Sequence, residues 1–453
     1  MEKLKKEKPA AKTTTNIIAY LLILLPAALG FFYVHEFGVN VPYWDQWWFV
    51  PLLDKLSTGT LTLSDLWLQS NEHRVFFPKI IWLLLGVITK YNNVAEMYLT
   101  QGFFLITLVA LLLAFKDNVK TTHFLFIPIS FLIFSIRQHA NMLWGFQLSF
   151  VVAFAFSVLT LYFLYVSAGH KRFKEIAFLA ALASATVASF SSAQGLLVWP
   201  AGLLQLFISA IEKPTKKVLI GVWSLAGLGE WIFYFIGYVK PAHHPSLGFI
   251  LRHPIAGIEY FLTLFGSSLF WQQNHAFIGG LLLIGLVVVS LLLIYKDRKL
   301  GEHSFWIALL FFSFLTMASI MVGRAEWAGG EASRYTTFSI LAVVAIYVIL
   351  VKLVLERKSR FTAGLICALS ALILLSVPIS YAEGIKRGEE TKASREQKAL
   401  ILSTYESQPD KVLVNTLCDM DMGCVVDPFG RADADTVREW AGILKRLGYN
   451  VFS

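Results

Sequence analysis

The chain has 453 residues, a formal net charge of +9, 56% hydrophobic side chains and only 15% charged ones. Ordinary soluble domains carry about 25% charged residues, so composition excludes a water-facing globule, and nothing reads as a soluble enzyme with an anchor. Most of the positive charge lies in short segments between apolar runs, which is a topology signal and not a nucleic-acid surface.

In chain order, Lys3, Lys5, Lys6, Lys8 and Lys12 precede the first apolar run, Ile17 to Tyr33. No clean small-residue cleavage site follows it, so it reads as an uncleaved first helix and not as a secretory signal. Basic clusters recur at Lys116 and Lys120, Lys171 to Lys174, Lys213 to Lys217, Lys296 to Lys299 and Arg357 to Arg360. Placing all of them on the cytoplasmic side fixes the parity of the spans. The predicted spans are 16–36, 94–115, 120–136, 146–168, 175–192, 196–212, 218–239, 277–295, 303–322, 336–354 and 361–381. The result is a membrane protein of about eleven helices, with a cytoplasmic N-terminus and an outside C-terminus. Two further apolar stretches, Val75 to Thr89 and Ile255 to Trp271, would break that parity as full crossings. They are therefore predicted to be interfacial or re-entrant.

The first outer stretch, 37–93, is long and holds Tyr43, Trp44, Trp47, Trp48 and Trp67. Aromatic rings favour the headgroup level, so amphipathic helices lying along the membrane are expected there. Composition changes after residue 382. Residues 1–382 read as an all-α transmembrane module, and 383–453 as a small outer α/β appendage. That appendage is helix-forming to about Tyr405, strand-like from Lys411 to Leu417, turned around Asp427 to Gly430, and an amphipathic helix from about Ala434. Cys367 reads as a small apolar residue of a span, while Cys418 and Cys424 suit either a small disulfide loop or two free thiols.

Fixing the topology gathers Asp45, the run Asn71-Glu72-His73-Arg74, Arg137, His139, Asn141, Gln147, Gln194, Trp199, Arg324, Arg334 and Tyr335 at the outer ends. Asp45 and Glu72 are candidate general bases for an acceptor hydroxyl. Arg74, Arg137 and Arg334 are candidate phosphate holders through charge-assisted hydrogen bonds. Each residue also has a plainer reading. Asp45 can cap a helix, Glu72-His73-Arg74 can form a surface ion-pair patch, and Arg334 can snorkel from the start of a span. Glu230, inside a span, is either functional or a paired structural acid. The spacing of His243, His244 and His275 is not diagnostic of a metal, and no metal or other cofactor is expected.

Tyr43-Trp44-Asp45-Gln46-Trp47 followed by Asn71-Glu72-His73-Arg74 resembles the first-loop motifs of a bacterial branch of the GT-C superfamily of membrane glycosyltransferases. Asn141-Met142-Leu143-Trp144-Gly145-Phe146-Gln147, Gly195-Leu196-Leu197-Val198-Trp199-Pro200, Ser333-Arg334-Tyr335 and the tail Trp440 to Phe452 are similar to later motifs of that branch. The resemblance implies jaw helices at about 50–58 and 75–90, and Asp45 as catalytic base with Glu72 as a second carboxylate. Arg334, Arg74, His73 and Arg137 would hold the donor phosphate. Trp44, His139, Asn141, Gln147, Gln194, Trp199 and Tyr335 would contact substrate. Gln46 stands where many members carry a second adjacent acid, which argues against a metal.

The implied reaction is an inverting transfer of one sugar from a polyprenyl-phosphate donor to a cell-surface glycan or lipid-linked acceptor, at the outer face of the cytoplasmic membrane. A lipid or oligosaccharide flippase, a surface-polymer polymerase or ligase, and a non-catalytic scaffold are the alternatives. Against a flippase stands the absence of paired repeats, and the ionisable groups other than Glu230 sit at the outer edge and not at the midplane.

Overall fold

The computed structural model describes residues 9–119, 123–169, 174–241, 246, 248–327, 330–417 and 434–453. His243, His244, Cys418, Cys424 and the turn at 427–430 lie outside the described residues.

The chain opens with α1 (Pro9–Phe37), a helix that runs straight through Pro26. Short pieces follow: α2 (Val50–Ser57), α3 (Leu63–Trp67) and α4 (Phe76–Thr89). Next comes the long α5 (Asn93–Asn118), started by the Asn92 side chain accepting from the Val94 N–H at 2.9 Å. Helices α6 (Ile127–Ile133) and α7 (His139–Leu143) are broken fragments before α8 (Leu148–Ala168). Then come α9 (Lys174–Ser189), α10 (Val198–Ile208), α11 (Lys213–Phe235), α12 (Phe249–Arg252) and α13 (Pro254–Gly266). The later long helices are α14 (Gln273–Lys296), α15 (Ser304–Arg324), α16 (Thr336–Arg357) and α17 (Arg360–Ser403). Two helices close the chain, α18 (Asp410–Leu417) and α19 (Ala434–Leu447).

The protein is thus all-α and multi-pass. Among the described residues eight helices are long and apolar enough to cross a membrane: α1, α5, α8, α11, α14, α15, α16 and α17. The sequence predicts about eleven. The difference lies in α6, α9 and α10, which are only 7, 16 and 11 residues long. A full crossing needs roughly 20 helical residues. 3₁₀ turns precede α6 and α10, each with a proline in its first turn, and α9 ends in a turn before the 3₁₀ segment Ala193–Leu197, features that an apolar count along the sequence does not register.

Burial sorts the long helices. α16 is apolar all round and 89% buried over its central window, so it is the axis of the bundle. α11 is only 17% buried and exposes Val218, Val222, Leu225, Leu228, Ile232 and Phe235, a face suited to lipid.

The two ends of the bundle differ in chemistry. α5 and α8 both start beside Gly145 and Gln46 and run away from them, α5 ending at Asn118, just past Lys116, and α8 at Ala168. The ring contact Tyr165–Phe305, 6.1 Å between centroids, sets the end of α8 beside the start of α15. There Lys299 pairs with Glu356 at 3.0 Å and Arg357 with Asp297 at 2.5 Å. The described basic clusters therefore share one end, and Asp45, Glu72 and Arg334 lie at the other.

α17 has 44 residues, about 66 Å at 1.5 Å per residue, roughly twice a hydrocarbon core of about 30 Å. It passes unbroken through residues 382 and 383 and carries its charged second half over the site end. The run Lys411 to Leu417, predicted to be a strand, is the helix α18. Its Val412 and Val414 suggest a strand, but no other strand exists among the described residues to pair with it. A helix instead buries Leu413 in the same cluster as Val437 and Leu444 of α19. The appendage is helical where described, not α/β.

Candidate active site

Asp45 sits in a 3₁₀ turn, Trp44–Phe49, held by buried polar contacts. The Gln46 side chain accepts the Tyr43 N–H at 3.2 Å and donates to Glu96 Oε2 at 2.6 Å. Glu96 also accepts from Asn93 Nδ2 at 3.3 Å, and the Tyr91 hydroxyl donates to Gln46 O at 2.6 Å. Gln46 is therefore structural, its side chain engaged by the Tyr43 N–H and Glu96. Trp44, with φ +47°, holds a left-handed backbone that a bulky residue rarely adopts, and such strain concentrates at functional turns.

Gly145 supports this turn by having no side chain. A Cβ there would run into Glu96 Oε2 and the Gln46 amide. Gly145→Ala is expected to displace Gln46 and lower both thermal stability and any activity that depends on Asp45. A melting curve in detergent beside the activity assay checks this, and an unchanged melting temperature contradicts it.

Glu72 sits within a tight turn in which Ser70 and His73 exchange backbone hydrogen bonds and Asn71 takes φ +51°. Its carboxylate is paired with the Arg324 guanidinium, and His73 Nε2 lies 3.6 Å away. His73 Nδ1 accepts the Ala193 N–H at 3.3 Å, which assigns the ring proton to Nε2, facing Glu72. Burial holds His73 below the ordinary histidine range, so it is neutral near pH 7. Arg324 also donates to the Tyr335 hydroxyl at 2.9 Å, tying the end of α15 to the start of α16.

Arg334 is positioned by a second lattice of contacts. Asn141 Nδ2 donates to Arg334 O at 2.9 Å and to Thr337 Oγ1 at 2.6 Å, and Thr337 donates to Gln138 Oε1 at 2.6 Å. Ser333 Oγ lies 3.0 Å from His139 Nδ1 and donates to Arg137 O at 2.9 Å. The Arg334 guanidinium rests over the Tyr335 ring, 4.7 Å from its centre.

These pieces meet electrostatically at Asp45. Burial and the charge of Glu72 push its carboxyl up to about 7, against the pull of Arg334 and Arg324. A carboxyl held there can accept a proton at neutral pH, and the residue is partly buried.

Two cavities flank this centre. One, about 380 Å³, is mostly apolar and lies between α11 and α15, lined by Glu72, His73, Gln194, Leu197, Trp231, Tyr234, Tyr238, Arg324 and Tyr335. The other, about 310 Å³, is lined by Tyr43, Trp44, His139, Trp144, Arg334 and, from α17, Glu390 and Arg395.

The remaining sequence candidates divide by what they touch. Arg74 donates to Tyr234 O at 2.6 Å, Ile236 O at 2.5 Å and Trp67 O at 3.1 Å, closing the end of α11. Arg137 donates to Phe270 O and Glu331 O and lies over Trp271 at 4.6 Å. The guanidinium N–H groups of both are committed to carbonyls, away from either cavity. Trp199 packs on Trp223 at 4.4 Å and donates to Ser189 Oγ at 3.0 Å, as a core residue. Gln147 is buried at the start of α8 and lines neither cavity. Glu230 accepts from Thr186 Oγ1 at 2.6 Å inside α11. Among the described residues no cluster of three or more His, Cys, Asp or Glu could hold a metal ion.

The structure adds Arg324 and Arg395. The first looks in sequence like one more outer-end cation, and the second lies in a charged tail segment with no motif. No sequence signal separates Arg324 from the other outer-end cations, because its partner Glu72 lies 252 positions away, and none marks Arg395.

Fold and site together define a helical multi-pass membrane protein that gathers two carboxylates and two arginines at one end of its bundle. No family model matches the chain, and no solved structure matches it. It is similar to an "Uncharacterized protein" of Archaeoglobus fulgidus, 25% identical over 197 residues, 40% of this chain and 48% of that relative. The match thus spans about half the relative's length.

Proposed function

We propose that this protein is a membrane glycosyltransferase of the GT-C type, moving a sugar from a polyprenyl-phosphate donor to a glycan or lipid-linked acceptor. The observation that carries the reading is that the charged groups acting on Asp45 line two neighbouring cavities, Glu72 and Arg324 the apolar one under lipid-facing α11 and Arg334, with Trp44 next to Asp45, the polar aromatic one. The lipid-linked donor occupies the apolar cavity with its phosphate toward Arg324 and His73. Placing the basic end in the cytoplasm puts the site on the outer face.

In this reading Asp45 removes the proton of the acceptor hydroxyl, and the freed oxygen attacks the anomeric carbon. The bond from that carbon to the phosphate oxygen breaks, and its electron pair leaves with the polyprenyl phosphate. Arg324 stabilises the charge that grows on the phosphate where water is scarce. A paired Arg324, already fixed by Glu72 and Tyr335, needs no reorganisation to do so.

The raised carboxyl of Asp45 gives a pH test. Transfer is expected to rise as pH passes through about 7, when the base loses its proton, and to level off above. Stability moves the other way. The folded pKa of about 7 exceeds the ordinary 3.8, so the contribution of protonated Asp45 is full below about pH 4 and lost as pH rises through 7. Asp45→Asn should flatten both dependences. Rates and melting temperatures of wild type and variant from pH 5 to 9 check this, and parallel profiles contradict it.

A further inference from the structure

The second cavity has a chemistry of its own. Tyr43 and Trp44 stack at 4.9 Å between centroids, and Trp144 meets both edge-on at 5.5 and 5.3 Å, which makes a rigid aromatic corner. Flat rings of this kind bind the apolar faces of sugars at low entropic cost.

Two guanidiniums enter the same space. Arg395 is only 5% exposed, lies 4.5 Å over the Tyr43 ring, and donates to Leu143 O. That contact takes one of the five N–H donors of a guanidinium. Arg334 makes no hydrogen bond or ion pair through its guanidinium among the described residues; its contact is the face of Tyr335. The one carboxylate in the lining, Glu390, is occupied by Arg387 at 2.9 Å. His139 stacks on Trp271 at 5.7 Å and is neutral, its pKa pushed down to about 3 by burial and by nearby arginines. The lining therefore carries more positive than negative charge, Arg334 and Arg395 against Glu390, beside an aromatic corner, in a volume of about 310 Å³ that suits one sugar unit or two.

We infer that this cavity is the acceptor subsite and that it takes an anionic sugar, a uronate or similarly acidic glycan unit, with the ring on Trp44 and Trp144 and the acid between Arg334 and Arg395. The assignment of this cavity to the acceptor rests on the proposed transfer reaction; the preference for an acidic sugar rests on the cavity alone. A guanidinium recognises a carboxylate by two parallel hydrogen bonds, and a neutral sugar would leave the buried Arg395 and the partly buried Arg334 without that partner.

The test is ligand-observed NMR on the full chain in nanodiscs, with methyl β-glucuronide, methyl β-glucoside and inorganic phosphate as probes. The glucuronide is expected to bind at least about tenfold more tightly than the glucoside. Arg334→Gln and Arg395→Gln should each erase that preference. Should Arg395→Gln fail to fold, Arg334→Gln and the wild-type comparison carry the same reading.

Equal affinity for the two glycosides overturns the inference, and so does a preference that survives both substitutions. Displacement of glucuronide by phosphate at equal concentration overturns it as well, because the site is then a bare anion hole. Asp45→Asn should keep the preference while losing transfer. Selective glucuronide binding in a protein that transfers no sugar supports the acidic-sugar site and counts against the glycosyltransferase reading.

Discussion

Asp45→Asn is expected to reduce sugar transfer by about 10²- to 10⁴-fold, the range a positioned general base contributes, with membrane insertion and abundance unchanged. The variant is nearly isosteric, and the contacts that hold its turn come from Gln46, Tyr91 and Glu96, not from the Asp45 carboxylate. Surface glycan composition in cells carrying only the variant reads the effect, alongside quantitation of the protein in membranes. A glycan identical to wild type removes Asp45 from the chemistry. Loss of the glycan on deletion, together with its retention in the variant, would favour a scaffold.

The second large effect is at Arg324. Its partner Glu72 is 17% exposed and Arg324 itself 14%, so Arg324→Met strands a carboxylate in a poorly solvated place. Breaking such a pair from one side costs about 3–5 kcal/mol, whereas removing both charges is often near neutral. Arg324→Met should therefore lower stability sharply, and the double variant Glu72→Gln with Arg324→Met should recover most of it without recovering transfer. The single variants also shift the titration of Asp45 in opposite directions. Losing Arg324 removes a pull downward and moves the pH–rate midpoint up, and Glu72→Gln removes a push upward and moves it down. Thermal melts and pH–rate curves of the three variants decide this, and midpoints that do not separate contradict the shared site.

The sequence makes the membrane class plain because lipid demands long uncharged runs, and charge bias along the chain separates the two ends. Span count is less legible. α6, α9 and α10 look like crossings in an apolar tally, but their helices stop after 7, 16 and 11 residues. Asp45 stands out through its aromatic neighbours, and Glu72 through its place in a polar run. What a linear pattern cannot display is how the cations are spent. Arg74 and Arg137 carry the same charge as Arg324 and Arg334, yet backbone carbonyls occupy the first two. Arg395 arrives from 350 positions beyond Asp45, on a helix long enough to rise out of the bundle and fold over the Tyr43 ring. The strand-like Val412 and Val414 mislead for a related reason, since a strand needs an edge to join and this fold provides none where described.

The central claim is that Asp45 serves a sugar transfer fed from a lipid phosphate. The most direct measurement is release of free polyprenyl phosphate from a polyprenyl-phosphate sugar by the purified protein in proteoliposomes with a glycan acceptor. Release that depends on the acceptor, rises with pH through about 7 and vanishes in Asp45→Asn is the predicted result. Absence of release with every such donor, or equal release by Asp45→Asn, would contradict it.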